Sequence, residues 1–331
     1  HTRSSSDWSS DVCSSDLKIL NYFKNSNLHK IITINRKQLD LTNWKDTNTF
    51  LKKNKPDIVI NCAGKVGGIL ANHTYPKEFL LENINIQLNL IDTCFKNKIK
   101  TFTYGYNSTD LKLVTFYKEN NIQKIIINHK NKIFNYTIPI IGDFQIYNSL
   151  CAICLAYFSG ISINKCLKTI KKIPQIPGRL ESITIPNKMK KRISIFIDYA
   201  HTPDALKKTL QTLKKNSVKL SVVFGCGGDR DKKKRPLMGE IASRFANKVY
   251  VTDDNPRHES AEKIRKEIIS HCPKAIEIKS RYLAIKTAIN NCEEGENLLI
   301  AGKGHEDYQI IGKKIYKFSD KDTVLKLLKS I

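Results

Sequence analysis

The sequence lacks several features that would assign it to a common functional class. Its nine cysteines are scattered and show no Cys/His spacing of a metal site, which favours reduced thiols in a cytoplasmic protein. No apolar run reaches about 18 residues, so no membrane span is predicted. The N-terminus also lacks the apolar core of a secretory signal. These absences favour a cytoplasmic protein without a membrane partner.

The sequence also lacks a phosphate-binding loop of the form Gly-x-x-x-x-Gly-Lys-[Ser/Thr]. Gly302-Lys303-Gly304-His305-Glu306 resembles part of one. However, neither Ser nor Thr follows the lysine, and the upstream glycine spacing is wrong. We therefore do not interpret Lys303 as a phosphate-loop lysine.

Acidic residues are few compared with basic ones. The chain has 56 Lys and Arg against 31 Asp and Glu, for a formal charge of +25. A balance this basic can indicate nucleic-acid binding, which predicts a steep dependence of binding on salt. The lysines, however, are spread over almost every predicted helix, and no basic block carries interleaved aromatics. We therefore attribute the charge to composition and predict no nucleic-acid partner.

The chain is long enough for about two domains with their own cores. Residues 1–17 are rich in Ser and Asp, lack periodicity, and resemble translated adapter sequence, so they are left out of the fold prediction. Residues 18–98 are predicted to be α/β, with strands at 31–34 and 57–60, a helix within 41–53 and a long helix over 76–95. Residues 99–181 are predicted to contain strands at 124–127 and 133–141, and helices over 144–158 and 163–172.

From residue 182 to 331, strands alternate with helices predicted near 203–215, 236–246, 260–271, 280–291 and 320–330. Such alternation is typical of a Rossmann-like α/β domain with a mostly parallel sheet and flanking helices. Four apolar runs here end in polar loops. The runs are Ile193–Ile197, Leu220–Phe224, Val249–Thr252 and Leu298–Ile300. Ligands bind at the carboxyl ends of such strands, so the four loops are predicted to line one crevice.

The residues in these loops are suited to a charged ligand. Pro256 stiffens the loop that presents Arg257, and a fixed guanidinium suits a carboxylate or phosphate. Arg230 follows a glycine-rich turn whose backbone N–H groups can approach an anion. Glu306 can accept from an ammonium group. Two arginines and one acid in one site would suit an amino acid with more than one carboxylate, although each arginine alone also fits an ordinary surface position.

Two further features have open interpretations. His201 lies near Asp198 in the sequence and is a candidate acid or base, but a structural histidine is at least as plausible. Lys232-Lys233-Lys234-Arg235 lies at a helix start, where cations oppose the helix dipole. This run predicts either a solvated loop or a neighbouring anion.

Several motifs in order resemble the Mur ligase family of peptidoglycan synthesis, from about residue 101 to 331. They are Asp198-Tyr199-Ala200-His201-Thr202-Pro203-Asp204, Phe224–Arg230 with Arg235-Pro236-Leu237-Met238-Gly239, Asp254-Asn255-Pro256-Arg257, and Ala301–Glu306. The resemblance implies that residues 99–181 are the end of the family's central, ATP-binding domain and that 182–331 are its C-terminal domain. Gly178-Arg179-Leu180-Glu181 resembles the hinge between them.

The resemblance also implies roles for individual residues. Those implied to bind meso-diaminopimelate are Arg230, Asp254, Asn255, Pro256, Arg257, Gly302 and Glu306. Those implied to lie near the nucleotide are Asn148, Asp198 and, close to the ATP phosphates, Arg179. No catalytic residue and no metal ligand is assigned.

The family's chemistry uses ATP and Mg²⁺ to join an amino acid to a UDP-muramoyl peptide. The glutamyl carboxylate is phosphorylated, and the amine of the amino acid then attacks it, so catalysis relies on positioning and charge neutralisation. The implied substrates are meso-diaminopimelate and the UDP-muramoyl dipeptide, and the implied state is a monomer. The family's UDP-sugar domain, phosphate loop and carbamylated lysine have no match here, so we expect no activity from this chain alone.

Residues 18–98 resemble a different family, the NADP-dependent epimerase/reductases represented by GDP-L-fucose synthase. The matching runs are Asp40-Leu41-Thr42, Pro56–Ile69 and Asn72–Pro76. The cofactor turn and the Ser/Tyr/Lys set of that family are absent, so a nucleotide-sugar reductase is the weaker alternative. A chimera joined near residues 98–102 explains both resemblances, and a natural fusion remains the other possibility.

Overall fold

A computed structural model describes residues 31–61, 63–64, 75–99, 101–119, 122–185, 191–215 and 219–329. The predicted tail 1–17 and most of the glycine-containing run 61–68 lie outside these residues. The chain divides into two compact units, His1–Phe102 and Thr103–Ile331.

In the first unit, the described residues form two helices, α1 (Trp44–Asn54) and α2 (Pro76–Lys96). Asn43 caps α1, since its side chain accepts hydrogen bonds from two backbone N–H groups of the first turn. The Nδ2 group of Asn89 on α2 donates to the carbonyls of Leu41 and Thr42, which fixes the start of α1 against α2. Both helices were predicted.

The strands predicted at 31–34 and 57–60 are wrong, because the described residues of this unit contain no strand. Ile32 and Ile60 are exposed, at 43% and 40%. A strand is stable only when neighbouring strands complete its hydrogen bonds and cover one face. Without such neighbours, an apolar run of four residues does not form a strand.

The second unit begins with a four-stranded sheet in the order β1-β2-β3-β4. The strands are β1 (Tyr104–Gly105), β2 (Leu111–Glu119), β3 (Ile122–His129) and β4 (Lys132–Ile138). β1 and β2 are parallel, and the other pairs are antiparallel. The helices α3 (Asp143–Phe158) and α4 (Ile163–Ile170) follow. β3, β4 and both helices match the predictions.

The remaining residues form a six-stranded sheet with the order β5-β6-β10-β7-β8-β9. Its strands are β5 (Glu181–Ile183), β6 (Ser194–Asp198), β7 (Leu220–Phe224), β8 (Lys248–Val251), β9 (Ile276–Glu277) and β10 (Asn297–Ala301). Only the edge strand β5 is antiparallel to its neighbour. The predicted mostly parallel sheet is confirmed.

Five helices accompany this sheet, all near their predicted positions. They are α5 (Pro203–Lys214), α6 (Lys234–Phe245), α7 (Ala261–Ile269), α8 (Arg281–Asn291) and α9 (Asp320–Lys329). A hairpin of β11 (Tyr308–Ile311) and β12 (Lys314–Lys317) was not predicted. The described residues include no helix long and apolar enough to cross a membrane.

The central strands β7 and β10 are buried along their whole length. Successive residues of a strand face opposite sides of a sheet, and the core divides accordingly. Val222 and Leu299 pack with α5, α6 and α7, whereas Val223 and Ile300 pack with α8 and α9. Helices on both faces explain why these strands read as continuous apolar runs.

None of the seven cysteines in the described residues forms a disulfide. The prediction that the cysteines are scattered without the Cys/His spacing of a metal site is wrong at one place, because Cys151 and Cys154 form a Cys-x-x-Cys pair within α3. Burial raises the pKa of the Cys154 thiol to about 12. This keeps the thiol protonated and unreactive at neutral pH, so the spacing has a structural explanation.

Arg281 and Asp320 form a buried ion pair between α8 and α9. The Nε and Nη2 atoms of Arg281 each lie 2.7 Å from an oxygen of Asp320, and Nη2 also donates to the carbonyl of Ala301 at 2.9 Å. Burial opposes the charge on Arg281, but Asp320 holds the pKa of the guanidinium above its ordinary value. The pair therefore joins two helices to the end of β10.

Arg281→Met should destabilise the fold by about 3–5 kcal/mol, because Asp320 would be left as an unpaired buried charge. Urea denaturation measures this change. The double variant Arg281→Met, Asp320→Leu should recover part of the loss. As a control, Lys208→Met, which removes an exposed pair with Asp204, should change stability by less than about 1 kcal/mol. If Arg281→Met and Lys208→Met lowered stability by the same amount, the buried pair would not have this role.

Candidate functional site

The four polar loops meet at one edge of the six-stranded sheet. β6, β10, β7 and β8 are parallel neighbours, so their carboxyl ends lie side by side. The backbone N–H of Gly302 donates to the carbonyl of Asp198. A Cβ on Gly225 would lie 2.2 Å from the carbonyl oxygen of Thr252. The loops after these strands are therefore in contact, as the sequence predicted.

Arg257 is held by main-chain groups on both sides. Its Nη1 donates to the carbonyl of Gly228 at 2.9 Å and to that of Asn255 at 3.3 Å. Its own backbone pairs with the hairpin, donating to Ile310 and accepting from Gly312. The residue has a φ of 51°, which is unusual for a side chain other than glycine. This left-handed conformation turns the loop so that the guanidinium lies over the β7 loop.

Arg230 and Arg257 lie on the same glycine turn. A Cβ on Gly227 would be 2.9 Å from the Nη1 of Arg257 and 3.7 Å from the Cγ of Arg230. At Gly228 a Cβ would lie only 1.8 Å from the carbonyl oxygen of Pro256. Glycine is therefore needed at position 228, where a Cβ would meet main-chain atoms, for the two loops to approach. Arg230 itself is exposed and contacts the backbone of Asp229.

Glu306 reaches the same region from the β10 loop. Its Oε2 accepts from the Nδ2 of Asn255 at 3.2 Å and lies 3.6 Å from the Nζ of Lys303. Its Oε1 lies 3.5 Å from the hydroxyl of Tyr199. Two arginines on one wall and a carboxylate beside Asn255 thus come from three separate loops.

Lys303 lies in the candidate site, but the sequence predicted no role for it. Its side chain is fully buried, and its Nζ donates to the Oδ1 of Asn255 at 3.1 Å and to the Oδ1 of Asp254 at 3.3 Å. In the sequence, Lys303 stands out only as part of a run that does not match the pattern of a phosphate-binding loop. A usable signal was the lysine's position directly after a buried strand, where a charged group needs partners.

The basic run at residues 232–235 has neighbouring anions, which resolves one open interpretation. Arg235 is fully buried and donates to Glu259 at 3.0 and 3.1 Å and to Glu267 at 2.7 Å. Its Nη2 also lies 3.3 Å from the carbonyl of Gly227. These hydrogen bonds hold the pKa of Glu259 down at about 2. Arg235 is thus an internal support for the turn that carries Arg230.

Of the three residues predicted near a nucleotide, Asp198 and Arg179 lie beside the β10 loop, because the Asp198 carbonyl accepts from Gly302 and Arg179 lies over Tyr199, whose hydroxyl is 3.5 Å from Glu306. Asn148 is exposed on α3. The exposed Arg179 places its guanidinium carbon 4.6 Å from the ring centroid of Tyr199. Asp198 is buried and accepts from the backbone N–H groups of Leu180 and Ala200. Burial raises the pKa of Asp198, and these hydrogen bonds oppose the rise. Their nucleotide roles stay predictions.

His201 is not paired with Asp198. Its Nδ1 lies 2.8 Å from the carbonyl oxygen of Tyr199, and its ring packs against the Tyr199 ring at 4.6 Å. In the described residues, no group of three or more His, Cys, Asp or Glu side chains is arranged to hold a metal ion. The structural interpretation of His201 is therefore favoured over an acid–base role.

Family comparisons support a ligase architecture. Residues 178–304 match the Mur ligase glutamate ligase domain, and residues 69–156 match the Mur ligase middle domain. Residues 18–109 match the NAD-dependent epimerase/dehydratase family. The second and third matches overlap at 69–109, so the position of a junction near 98–102 stays a prediction.

Individual relatives agree with the domain matches. The chain is 41% identical over 268 residues to the UDP-N-acetylmuramoyl-L-alanyl-D-glutamate--2,6-diaminopimelate ligase of Rickettsia conorii, covering 79% of this chain and 54% of that protein. The Agrobacterium fabrum protein of the same name is 42% identical over 67% of this chain and 45% of its own length. The chain thus spans about half the length of these relatives.

A solved structure of a UDP-N-acetylmuramoyl-L-alanyl-D-glutamate--2,6-diaminopimelate ligase is also similar. It has a TM-score of 0.55 and 28% identity, over 85% of this chain and 63% of that one. With these matches over residues 69–156 and 178–304, the chain belongs to the Mur ligase family. Within that family, the Rickettsia conorii and Agrobacterium fabrum relatives carry the name of the enzyme for 2,6-diaminopimelate.

Glu259→Gln should lower the free energy of unfolding at neutral pH. The free energy of unfolding of the variant should also fall less steeply than that of the wild type as the pH is lowered. The pKa of Glu259 is lowered from 4.5 to about 2. Its contribution is therefore complete above pH 4.5 and is lost as the pH falls toward 2. Urea denaturation at successive pH values measures the gap between the variant and the wild type, which should narrow in acid.

The exposed Glu240 on α6 provides a control. Glu240→Gln should leave a small gap in stability that does not change with pH. A gap for Glu259→Gln that stays constant between neutral pH and about pH 3 would show that Arg235 does not select the ionised form of Glu259.

Proposed function

We propose that the ligase region of this chain works in the ATP-dependent addition of meso-diaminopimelate to UDP-N-acetylmuramoyl-L-alanyl-D-glutamate. In this proposal the chain supplies the amino-acid-binding part of that site. The proposal is supported by the family membership and by the names of the relatives. The observation that carries it is that the three loops bearing Arg230, Arg257 and Glu306 are in contact with one another.

The chemistry of these side chains fits a zwitterion with an additional carboxylate. Arg257 and Arg230, which both lie next to Gly227, provide cationic donors for a carboxylate. Glu306 provides acceptor oxygens for an ammonium group. Lysine carries the same terminal amine but lacks the distal carboxylate. In the proposal, Arg257 therefore selects diaminopimelate over lysine, and the remaining implied residues, Asp254, Asn255, Pro256 and Gly302, shape the loops around the ligand.

ATP would supply the phosphoryl group that activates the acceptor carboxylate. Among the described residues, Arg179 fits a phosphate contact because it is exposed and its guanidinium carbon lies 4.6 Å from the ring centroid of Tyr199. Asp198 fits a ribose contact less well, since both of its oxygens already accept backbone hydrogen bonds. Among the described residues, no group of three or more His, Cys, Asp or Glu side chains is arranged to hold Mg²⁺.

We further propose that this chain alone does not turn over. No Gly-x-x-x-x-Gly-Lys-[Ser/Thr] run occurs in the sequence, and phosphoryl transfer depends on such positioning of the phosphates. The test is ADP release with ATP, Mg²⁺, the UDP-muramoyl dipeptide and meso-diaminopimelate. We expect none above a reaction without diaminopimelate. Release that depends on diaminopimelate would refute this proposal.

Arg257→Ala should weaken meso-diaminopimelate binding about 10- to 100-fold, the range for a lost hydrogen bond to a charged group. Isothermal titration of the whole chain measures the dissociation constant. The preference for diaminopimelate over lysine should disappear in the same variant.

Arg244→Ala is the matched control, because Arg244 is an exposed arginine on α6 whose side chain lies over the Phe245 ring. Its dissociation constant should equal that of the wild type. If Arg257→Ala keeps the wild-type preference for diaminopimelate over lysine, the assigned role of Arg257 is wrong.

A further inference from the structure

Lys303 is a buried cation in the middle of the candidate site. Its side chain has no exposed surface, and its Nζ lies 3.1 Å from Asn255 Oδ1, 3.3 Å from Asp254 Oδ1 and 3.6 Å from Glu306 Oε2. An ammonium group has three hydrogens to donate. Two of them go to the Asn255 and Asp254 oxygens as hydrogen bonds, and Glu306 adds an ion-pair contact from a second loop.

Lys303 also helps to fix the orientation of the Asn255 amide, whose Nδ2 end faces Glu306. The Oδ1 of Asn255 accepts from Lys303 and, at 3.0 Å, from the backbone N–H of Ile310. An amide oxygen has two lone pairs, so both are used. The Nδ2 end is therefore directed to Glu306 Oε2 at 3.2 Å.

The two oxygens of Glu306 are consequently in different environments. Oε2 is engaged by Lys303 and Asn255. Oε1 has a long 3.5 Å contact with the Tyr199 hydroxyl, and the Tyr308 side chain also hydrogen-bonds to Glu306. Because each carboxylate oxygen can accept two hydrogen bonds, Oε1 keeps acceptor capacity for a ligand. A carboxylate that is fixed at one oxygen and available at the other is prepared to receive an ammonium group.

We propose that Lys303 is a positioning residue for the ammonium group of the bound amino acid, acting through Glu306 and Asn255. The inference rests on the proposed function. Lys303 does not touch the ligand; it holds the Glu306 carboxylate in the orientation that accepts the ammonium group. A merely structural lysine would affect every ligand equally, whereas this role affects only ligands that carry an amine.

The test compares two ligands, meso-diaminopimelate and pimelate. Both have seven carbons and two carboxylates, but only diaminopimelate has amines. In Lys303→Met, the ratio of the pimelate to the diaminopimelate dissociation constant should fall about tenfold or more, since a charged hydrogen bond to the amine is lost. Isothermal titration of the whole chain measures both constants.

Lys234→Met is the matched control. In the described part of the chain, Lys234 and Lys303 are the two buried lysines, and Lys234 donates to the carbonyl of His201 at 2.8 Å. It provides the same loss of a buried ammonium without the link to Glu306. Lys234→Met should leave the ratio of dissociation constants unchanged, whatever its effect on stability.

Glu306→Gln tests the route of the effect. It should lower the ratio by itself, and Lys303→Met combined with Glu306→Gln should lower it no further. If Lys303→Met does not fold, as judged by thermal denaturation, Lys303→Gln takes its place, because it is neutral but keeps a donor amide.

The outcomes separate the two proposals. If the wild-type chain does not bind diaminopimelate, the proposed function fails and the role of Lys303 fails with it. If the wild type binds and Lys303→Met keeps the wild-type ratio, only the positioning role is overturned. Additive effects of the Lys303 and Glu306 substitutions would overturn it as well.

Discussion

The parallel pairing of β6, β10, β7 and β8 is the constraint on which the candidate site depends. Asp198 and Ala301 are register partners, although about a hundred residues of chain separate them. Pairing in this register places the ends of the four strands at one sheet edge. Side chains that are distant in sequence, such as Asn255 and Glu306, meet only because these central strands are hydrogen-bonded in this order.

Buried cations hold the loops at that edge of the sheet through hydrogen bonds and ion pairs. Arg235 holds Glu259 under the β7 loop, Lys303 joins the β8 and β10 loops, and Arg281 with Asp320 anchors the end of β10. A buried cation is tolerated only with well-placed acceptors. Each of these cations therefore requires one geometry of its loop. In the proposed site, the arginines and Glu306 are thus held in place by buried charges behind them.

The sequence predicted the parts of the fold in which local pattern and long-range pairing agree. The core strands, such as Leu220–Phe224, are apolar throughout and lie between helices, so their pattern was sufficient. The predicted strands at 31–34 and 57–60 failed because a strand also needs partners, which composition does not reveal. β2 was not singled out, and a register shift between Leu113 and Thr115 interrupts its alternation. The members of the site were visible as motifs, but the role of Lys303 depends on burial and distances that no linear pattern contains.

The contact between Gly228 and Pro256 has a consequence for how the site tolerates change. The two loops approach so closely that the carbonyl of Pro256 occupies the space of a missing Cβ. The contact there is between main-chain atoms, which are the same in every residue type. The separation of the two loops is thus set by the absence of a Cβ at Gly228. Any other residue at this position would force the β7 and β8 loops apart.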